Sequence, residues 1–166
     1  MNVGQIPVYY NEYKTGRPIV GSGHTSKFVS KYLVVGNAPR FAFGYGLSYT
    51  TFKYSEIHLD TNILVRNGEI KASVTVKNIG QVNGKETVQM YIQDITASVV
   101  TPIKELKGFK KIELEPHQSE VVEFILTEKD LEFYTKDMIY AAEKGKFMLY
   151  IGTSSDNVKE NTFEIV

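Results

Sequence analysis

Four stretches of this chain alternate apolar and polar residues with a period of two, and no other feature restricts the possible folds as much. Ile70, Ala72, Val74 and Val76 alternate with Lys71, Ser73, Thr75 and Lys77, and Val88, Met90 and Ile92 with Thr87, Gln89, Tyr91 and Gln93. Val122, Phe124 and Leu126 line one side of a third stretch, and Phe147, Leu149 and Ile151 one side of a fourth. Successive side chains of a strand point to opposite faces, so each stretch reads as a strand with one face in a core and the other in water. Ile112 and Leu114, set against Lys111, Glu113 and Glu115, add a further strand; Ile57 with Leu59, and Phe163 with Ile165, open and close the series. Asn67-Gly68, Asn83-Gly84 and Glu115-Pro116 punctuate it as turns do. Short strands without helical stretches between them predict an all-β, antiparallel β-sandwich of about seven strands over 45–166.

One helical turn interrupts the pattern. Thr127-Glu128-Lys129-Asp130 has an N-cap residue followed by a carboxylate at N3, where free backbone N–H groups can be met. Leu131, Phe133 and Tyr134 follow and are expected to cover one end of the sandwich. Residues 1–44 behave differently. Ile6 to Tyr10 suits a single strand with no neighbour to pair with, and Gly16, Pro18, Gly21, Gly23, Gly36, Pro39 and Gly44 break any regular element after it. A structureless stretch of this length is uncommon inside a compact domain. It reads as an extended N-terminal arm whose packing surface lies elsewhere, the strand at 6–10 being the end of a truncated domain and Met1 an artificial or truncated start.

Charge and composition close several routes. Lys plus Arg and Asp plus Glu are 19 each, so there is no basic surplus to release counterions from a nucleic acid. With no cysteine, disulfides, thiolate metal sites and cysteine nucleophiles are excluded. No apolar run approaches the 18 or so residues that a membrane span needs.

Two runs then carry a resemblance. GQIPVYYNEYKTGRP (4–18) followed by RFAFGYGLSYTTFKYS (40–55) is similar to the junction that precedes the C-terminal domain of family 3 glycoside hydrolases. TVQMYIQD (87–94), TPIKELKGFKKIELEP (101–116) and GKFMLYIGTSSDN (145–157) resemble, in order, that domain itself. The resemblance implies a fibronectin III/immunoglobulin-like sandwich, for which the absence of Trp and Cys is no obstacle. It also implies a division at 44/45 between an arm, with the end of an α/β sandwich domain, and a fibronectin type III-like domain. The parent polypeptide would be a β-glucosidase- or β-xylosidase-like hydrolase of terminal β-linked sugars, periplasmic or secreted as its relatives commonly are. The family's catalytic carboxylates belong to upstream domains and match nothing here. The chain is therefore expected to be a non-catalytic structural domain, inactive alone, whose partners are the upstream catalytic domains of the same polypeptide.

The residues themselves offer few chemical sites. Glu113 and Glu115 stand about 7 Å apart on one strand face, a separation seen between glycosidase carboxylates. They share that face with Lys111 and flank Pro116, which describes a solvated surface rather than a water-poor cleft. Asp130, Glu132 and Asp137 read as capping and loop residues. His24, His58 and His117 occur singly, without metal-ligand spacing, and no cofactor is implied. The pairs Gly21/Gly23 and Gly44/Gly46 lack a strand–helix context for phosphate, and Ser48, Ser154 and Ser155 lack triad partners. What remains is aromatic: Tyr9, Tyr10 and Tyr13, then Phe41, Phe43, Tyr45, Leu47, Tyr49 and Phe52. Alternation along 41–49 places Phe41, Phe43, Tyr45, Leu47 and Tyr49 on one side and Ala42, Gly44, Gly46 and Ser48 on the other, a shape suited to interdomain packing. A carbohydrate-stacking or surface-interaction module using the exposed aromatics is the alternative, and pairing of the 6–10 segment between two copies would make a homodimer through the arm. In the full enzyme that the resemblance implies, Lys14 and Arg17 of the arm would be candidates to approach a substrate cleft, which nothing in the sequence itself shows.

Overall fold

A computed structural model describes residues 7–13, 29, 32 and 36–166. The alternating stretches form the two layers of a sandwich. In the first, β4 (Glu69–Asn78) pairs along its whole length with β7 (Ser119–Thr127), and its other edge carries β1 (Phe52–Tyr54) and β2 (His58–Leu59) end to end. In the second, the order is β3 (Ile63–Leu64), β11 (Val158–Ile165), β10 (Gly145–Gly152), β5 (Gly84–Asp94) and β6 (Glu105–Leu114). Six long strands, with β1 and β2 counted as one split edge strand, make up the expected seven. One pairing departs from the antiparallel rule: β3 runs parallel to β11.

The core is the set that the period-two pattern selects. Ile70, Ala72, Val74, Val76, Val122, Phe124 and Leu126 from the first layer meet Val88, Met90, Ile92, Ile112, Leu114, Phe147, Leu149, Ile151, Phe163 and Ile165 from the second, all buried. The turns fall where Gly, Asn and Pro place them: Asn67 (φ 60°) precedes a Gly68 N–H that donates to the Val65 carbonyl, and His117 (φ 65°) follows Pro116. Asn78, fully buried between the layers, accepts from Thr50 Oγ1 at 2.6 Å and donates to the carbonyls of Val82 and Leu114.

The capped turn is present as a 3-10 helix, Glu128–Leu131, with the Thr127 N–H donating to Asp130 Oδ2 at 2.8 Å and Leu131 buried. Beyond it a small hairpin of β8 (Phe133–Tyr134) and β9 (Tyr140–Ala141) stands at the end of the sandwich. Tyr134 does not cover the core as expected but is exposed, its ring against that of Tyr140 instead.

The arm differs from its reading at three points. No strand forms over 7–10, which is irregular and turns at Tyr10–Asn11; Ile6 lies outside the described residues. The stretch has a partner within this domain, because Tyr13 makes an antiparallel bridge to Pro102 and the Ile103 N–H donates to the Glu12 carbonyl at 2.9 Å. Nor is 41–49 evenly extended: Gly44 takes φ +78°, and a turn closes with the Tyr45 N–H on the Ala42 carbonyl at 3.0 Å. That turn breaks the two-sided alternation, burying Ala42 and leaving Gly44, Gly46 and Ser48 exposed together with the bulky residues. His24, Lys14, Arg17, Gly21 and Gly23 lie outside the described residues.

Candidate functional site

β5 is dry on both faces along its middle: Val88 to Ile92 are buried without a break. The inward set belongs to the core. The outward pair, Gln89 and Tyr91, was expected to face water and is instead covered by the arm. A buried amide needs partners, because an unsatisfied polar group away from water costs about 1–3 kcal/mol. Gln89 has them: Nε2 donates to the Gly44 carbonyl at 3.1 Å and to the Thr153 carbonyl at 2.6 Å, and Oε1 accepts from the Tyr91 hydroxyl. One side chain thereby ties the arm's turn, the β10–β11 loop and the sheet together. Gly44 is required at that contact, since a Cβ there would lie 2.0 Å from Gln89 Oε1.

Aromatic stacking fills the space around this clasp. Tyr10 and Phe43, far apart in sequence, stack with ring centroids 4.1 Å apart and planes 17° apart, and Tyr10 meets Tyr91 edge-on at 5.9 Å. Edge-on and offset contacts of this kind add about 0.5–1.5 kcal/mol each to simple burial. The Ser155 N–H donates to the Phe43 carbonyl at 2.9 Å, which fixes the arm to the β10–β11 loop a second time. Lys104 closes the far side, its ammonium donating to the Ser155 carbonyl at 2.6 Å while standing 4.0 Å over the Tyr150 ring. Burial holds the Lys104 ammonium below its ordinary pKa, partly opposed by Glu160 and Asp156. Burial likewise raises the Tyr91 phenol, with Tyr10 and Asp156 adding to it, and the Tyr150 phenol, with Glu160 adding.

The aromatic and apolar positions singled out in the sequence therefore divide. Tyr10, Phe43 and Phe52 pack on the domain itself, Phe52 against the core. Phe41 leans on Tyr45 at 5.0 Å with both rings largely exposed, and Tyr9, Leu47 and Tyr49 are exposed, Leu47 at 89%. Gln89 and Tyr91 were missed as partners of the arm. The available signal was Tyr91, a large aromatic on an otherwise polar strand face, directly opposite Tyr150 in the register.

The other candidates stay apart. Glu113 pairs with Lys85 at 3.4 Å on an exposed face, and Glu115 sits in the turn before Gln118. Ser154 is buried with its hydroxyl donating to Asp156 Oδ1 at 2.7 Å, while His58 and His117 are exposed elsewhere. Among the described residues no three His, Asp or Glu side chains stand together as metal ligands.

Two layers joined in this order form a fibronectin type III-like sandwich, and residues 86–155 match the family model of that description. The chain carries the kind of fibronectin type III-like domain found in family 3 glycoside hydrolases. It is 45% identical over 165 residues to the periplasmic beta-glucosidase of Salmonella typhimurium, covering 99% of this chain and 21% of that protein. It is 40% identical over 168 residues to a putative beta-xylosidase of Formosa agariphila, covering 99% and 20%. The crystal structure of a beta-glucosidase from Listeria innocua in complex with glucose superposes with a TM-score of 0.91 at 40% identity, over 98% of this chain and 22% of that one. The chain thus spans about a fifth of the length of the relatives it matches.

Proposed function

We propose that this chain is a non-catalytic structural domain of a family 3 glycoside hydrolase acting on terminal β-linked sugars, and that it stabilises and positions the catalytic part of that polypeptide. The observation that carries this reading is the ridge at 45–49. Tyr45, Leu47 and Tyr49 stand exposed directly after Phe43 and Gly44, whose carbonyls accept from the Ser155 N–H and from Gln89 Nε2. A row of large exposed apolar side chains marks an interaction surface more often than an accident of folding. Further support comes from the relatives, in which the matched region is one fifth of a longer β-glucosidase or β-xylosidase. The division at 44/45, with the arm as connector, belongs to the same proposal, as does the interdomain role of Tyr45, Leu47 and Tyr49.

A chimera tests it. This chain replaces the matching fifth of the Salmonella typhimurium enzyme, and Leu47→Asp/Tyr49→Asp is introduced into both the chimera and the isolated chain. The double variant is expected to shorten the chimera's half-life on heating while leaving the melting of the isolated chain unchanged. Equal half-lives for the two chimeras would refute a packing role for the ridge. The isolated chain is expected to turn over no aryl β-glucoside or β-xyloside; turnover that co-purifies with it and is lost in Glu113→Gln would overturn the non-catalytic assignment.

A further inference from the structure

The two described stretches of the arm, 7–13 and 36–43, enclose a groove of about 570 Å³ against Ile103 and the loop at Ser155–Asp156. The volume lies within the roughly 300–1,000 Å³ usual for small-molecule sites. One wall is aromatic: Phe43, stacked on Tyr10, with Phe41 and Tyr9 beside it. Phe43 is held in place by the contacts that clasp the arm, while Phe41 lies against Tyr45 at 5.0 Å with the Arg40 guanidinium 5.7 Å from its ring centre. Phe41 and Tyr9 remain 61% and 65% exposed. The polar part of the lining is equally particular. It includes the carboxylates of Asp156 and Glu12, the amides of Asn11 and Asn37 and the hydroxyl of Ser155, and no lysine or arginine is among the described residues that line it. One oxygen of Asp156 accepts from the Ser154 hydroxyl at 2.7 Å, and a carboxylate has acceptor capacity beyond a single bond.

Each class of small ligand meets this lining differently. A phosphorylated or carboxylated ligand is repelled by the two acidic side chains that line the groove, the Lys104 ammonium near Asp156 being already engaged by the Ser155 carbonyl. An acyl chain would strip water from those same carboxylates without replacing its hydrogen bonds. A pyranose satisfies both halves at once: its flat C–H face lies on an aromatic ring, and its peripheral hydroxyls donate to carboxylates and exchange hydrogen bonds with an amide. We infer that this groove is a binding site for a neutral pyranose sugar, stacked on Phe41, Phe43 and Tyr9 and hydrogen-bonded by Asp156. The site does not use the ridge of Tyr45, Leu47 and Tyr49, so it stands or falls separately from the packing role proposed above.

Amide chemical-shift titration of the 166-residue chain with cellobiose and xylobiose tests the inference, with sorbitol as a control that has hydroxyls but no ring face. Saturable shifts are expected at residues 8–12, 41–43 and 155–156 with either disaccharide and not with sorbitol. Phe41→Ala is expected to weaken binding about three- to tenfold, the loss of one stacking contact. Tyr9→Ala serves as a second variant should Phe41→Ala alter the melting of the chain. The inference is overturned if no saturable shift arises in these segments up to tens of millimolar sugar, if sorbitol reproduces the shifts, or if both alanine variants titrate like the parent.

Discussion

The clasp between arm and sheet predicts a sharp difference between two glycines that are two residues apart. Gly44→Ala places a methyl group where Gln89 Oε1 stands, 2.0 Å from the new Cβ, in a backbone conformation of φ +78°. A non-glycine residue in the left-handed region costs about 1–2 kcal/mol. Moving Gln89 aside breaks its bonds to the Gly44 and Thr153 carbonyls and the one from Tyr91, and leaving a buried polar group unpaired costs a further 1–3 kcal/mol or so. The arm is thus destabilised in its docked position by roughly 2–5 kcal/mol. Gly46→Ala meets nothing within 4 Å and is the control. Three amides report directly on docking by hydrogen exchange: Tyr45 on the Ala42 carbonyl, Ser155 on the Phe43 carbonyl and Ile103 on the Glu12 carbonyl. At the lower figure of about 2 kcal/mol, their exchange in Gly44→Ala should accelerate on the order of 30-fold, since each 1.4 kcal/mol is a factor of ten. Amides of Val74 and Leu149, deep in the sandwich, should be unaffected by either substitution. If the three reporters exchange equally in Gly44→Ala and Gly46→Ala, the arm is not held through Gln89, and the clasp described above is wrong.

Three further outcomes follow from the same structure. Phe147→Ala, at a ring 1% exposed and stacked on Phe163 at 5.3 Å, should lower stability by about 3–5 kcal/mol in denaturant unfolding, whereas Val121→Ala on the solvent face should stay within about 0.5 kcal/mol. Asn78→Ala removes four hydrogen bonds from a fully buried site and should cost about 2–4 kcal/mol in the same assay, with the Gly80 amide losing exchange protection. Stability should fall as pH rises above about 10: Tyr54, Tyr91 and Tyr150 have phenols raised by burial, so they stay neutral in the fold while the unfolded chain ionises them from its ordinary value of 10.0 upward. Tyr54 is raised further by the charge of Glu86, whose Oε1 accepts its hydroxyl at 2.8 Å. Phenolate absorbance should therefore show these tyrosines ionising only together with unfolding; their free titration in the folded chain near pH 10 would refute the burial.

The layers, the core and the turns were readable from the residues alone, because a strand's period of two turns a list of apolar positions directly into a buried face. Val74, Phe124, Leu149 and their neighbours are buried for that reason, and Thr127 with Asp130 caps its turn because capping is local. What covers the outer face of a sheet is not local, and the period says nothing about it. Gln89 and Tyr91 alternate correctly and are nonetheless dry, since the arm, from more than 40 positions earlier in the chain, lies over them. The same tertiary contact decided that Gly44 turns, which ended the even alternation expected along 41–49, and that Tyr13 bridges Pro102 where no partner was foreseen for the arm. The aromatic residues of the arm were legible as a group from their composition. Their division into a clasp, a groove wall and an exposed ridge was not, because it depends on which rings the folded sheet had room to bury.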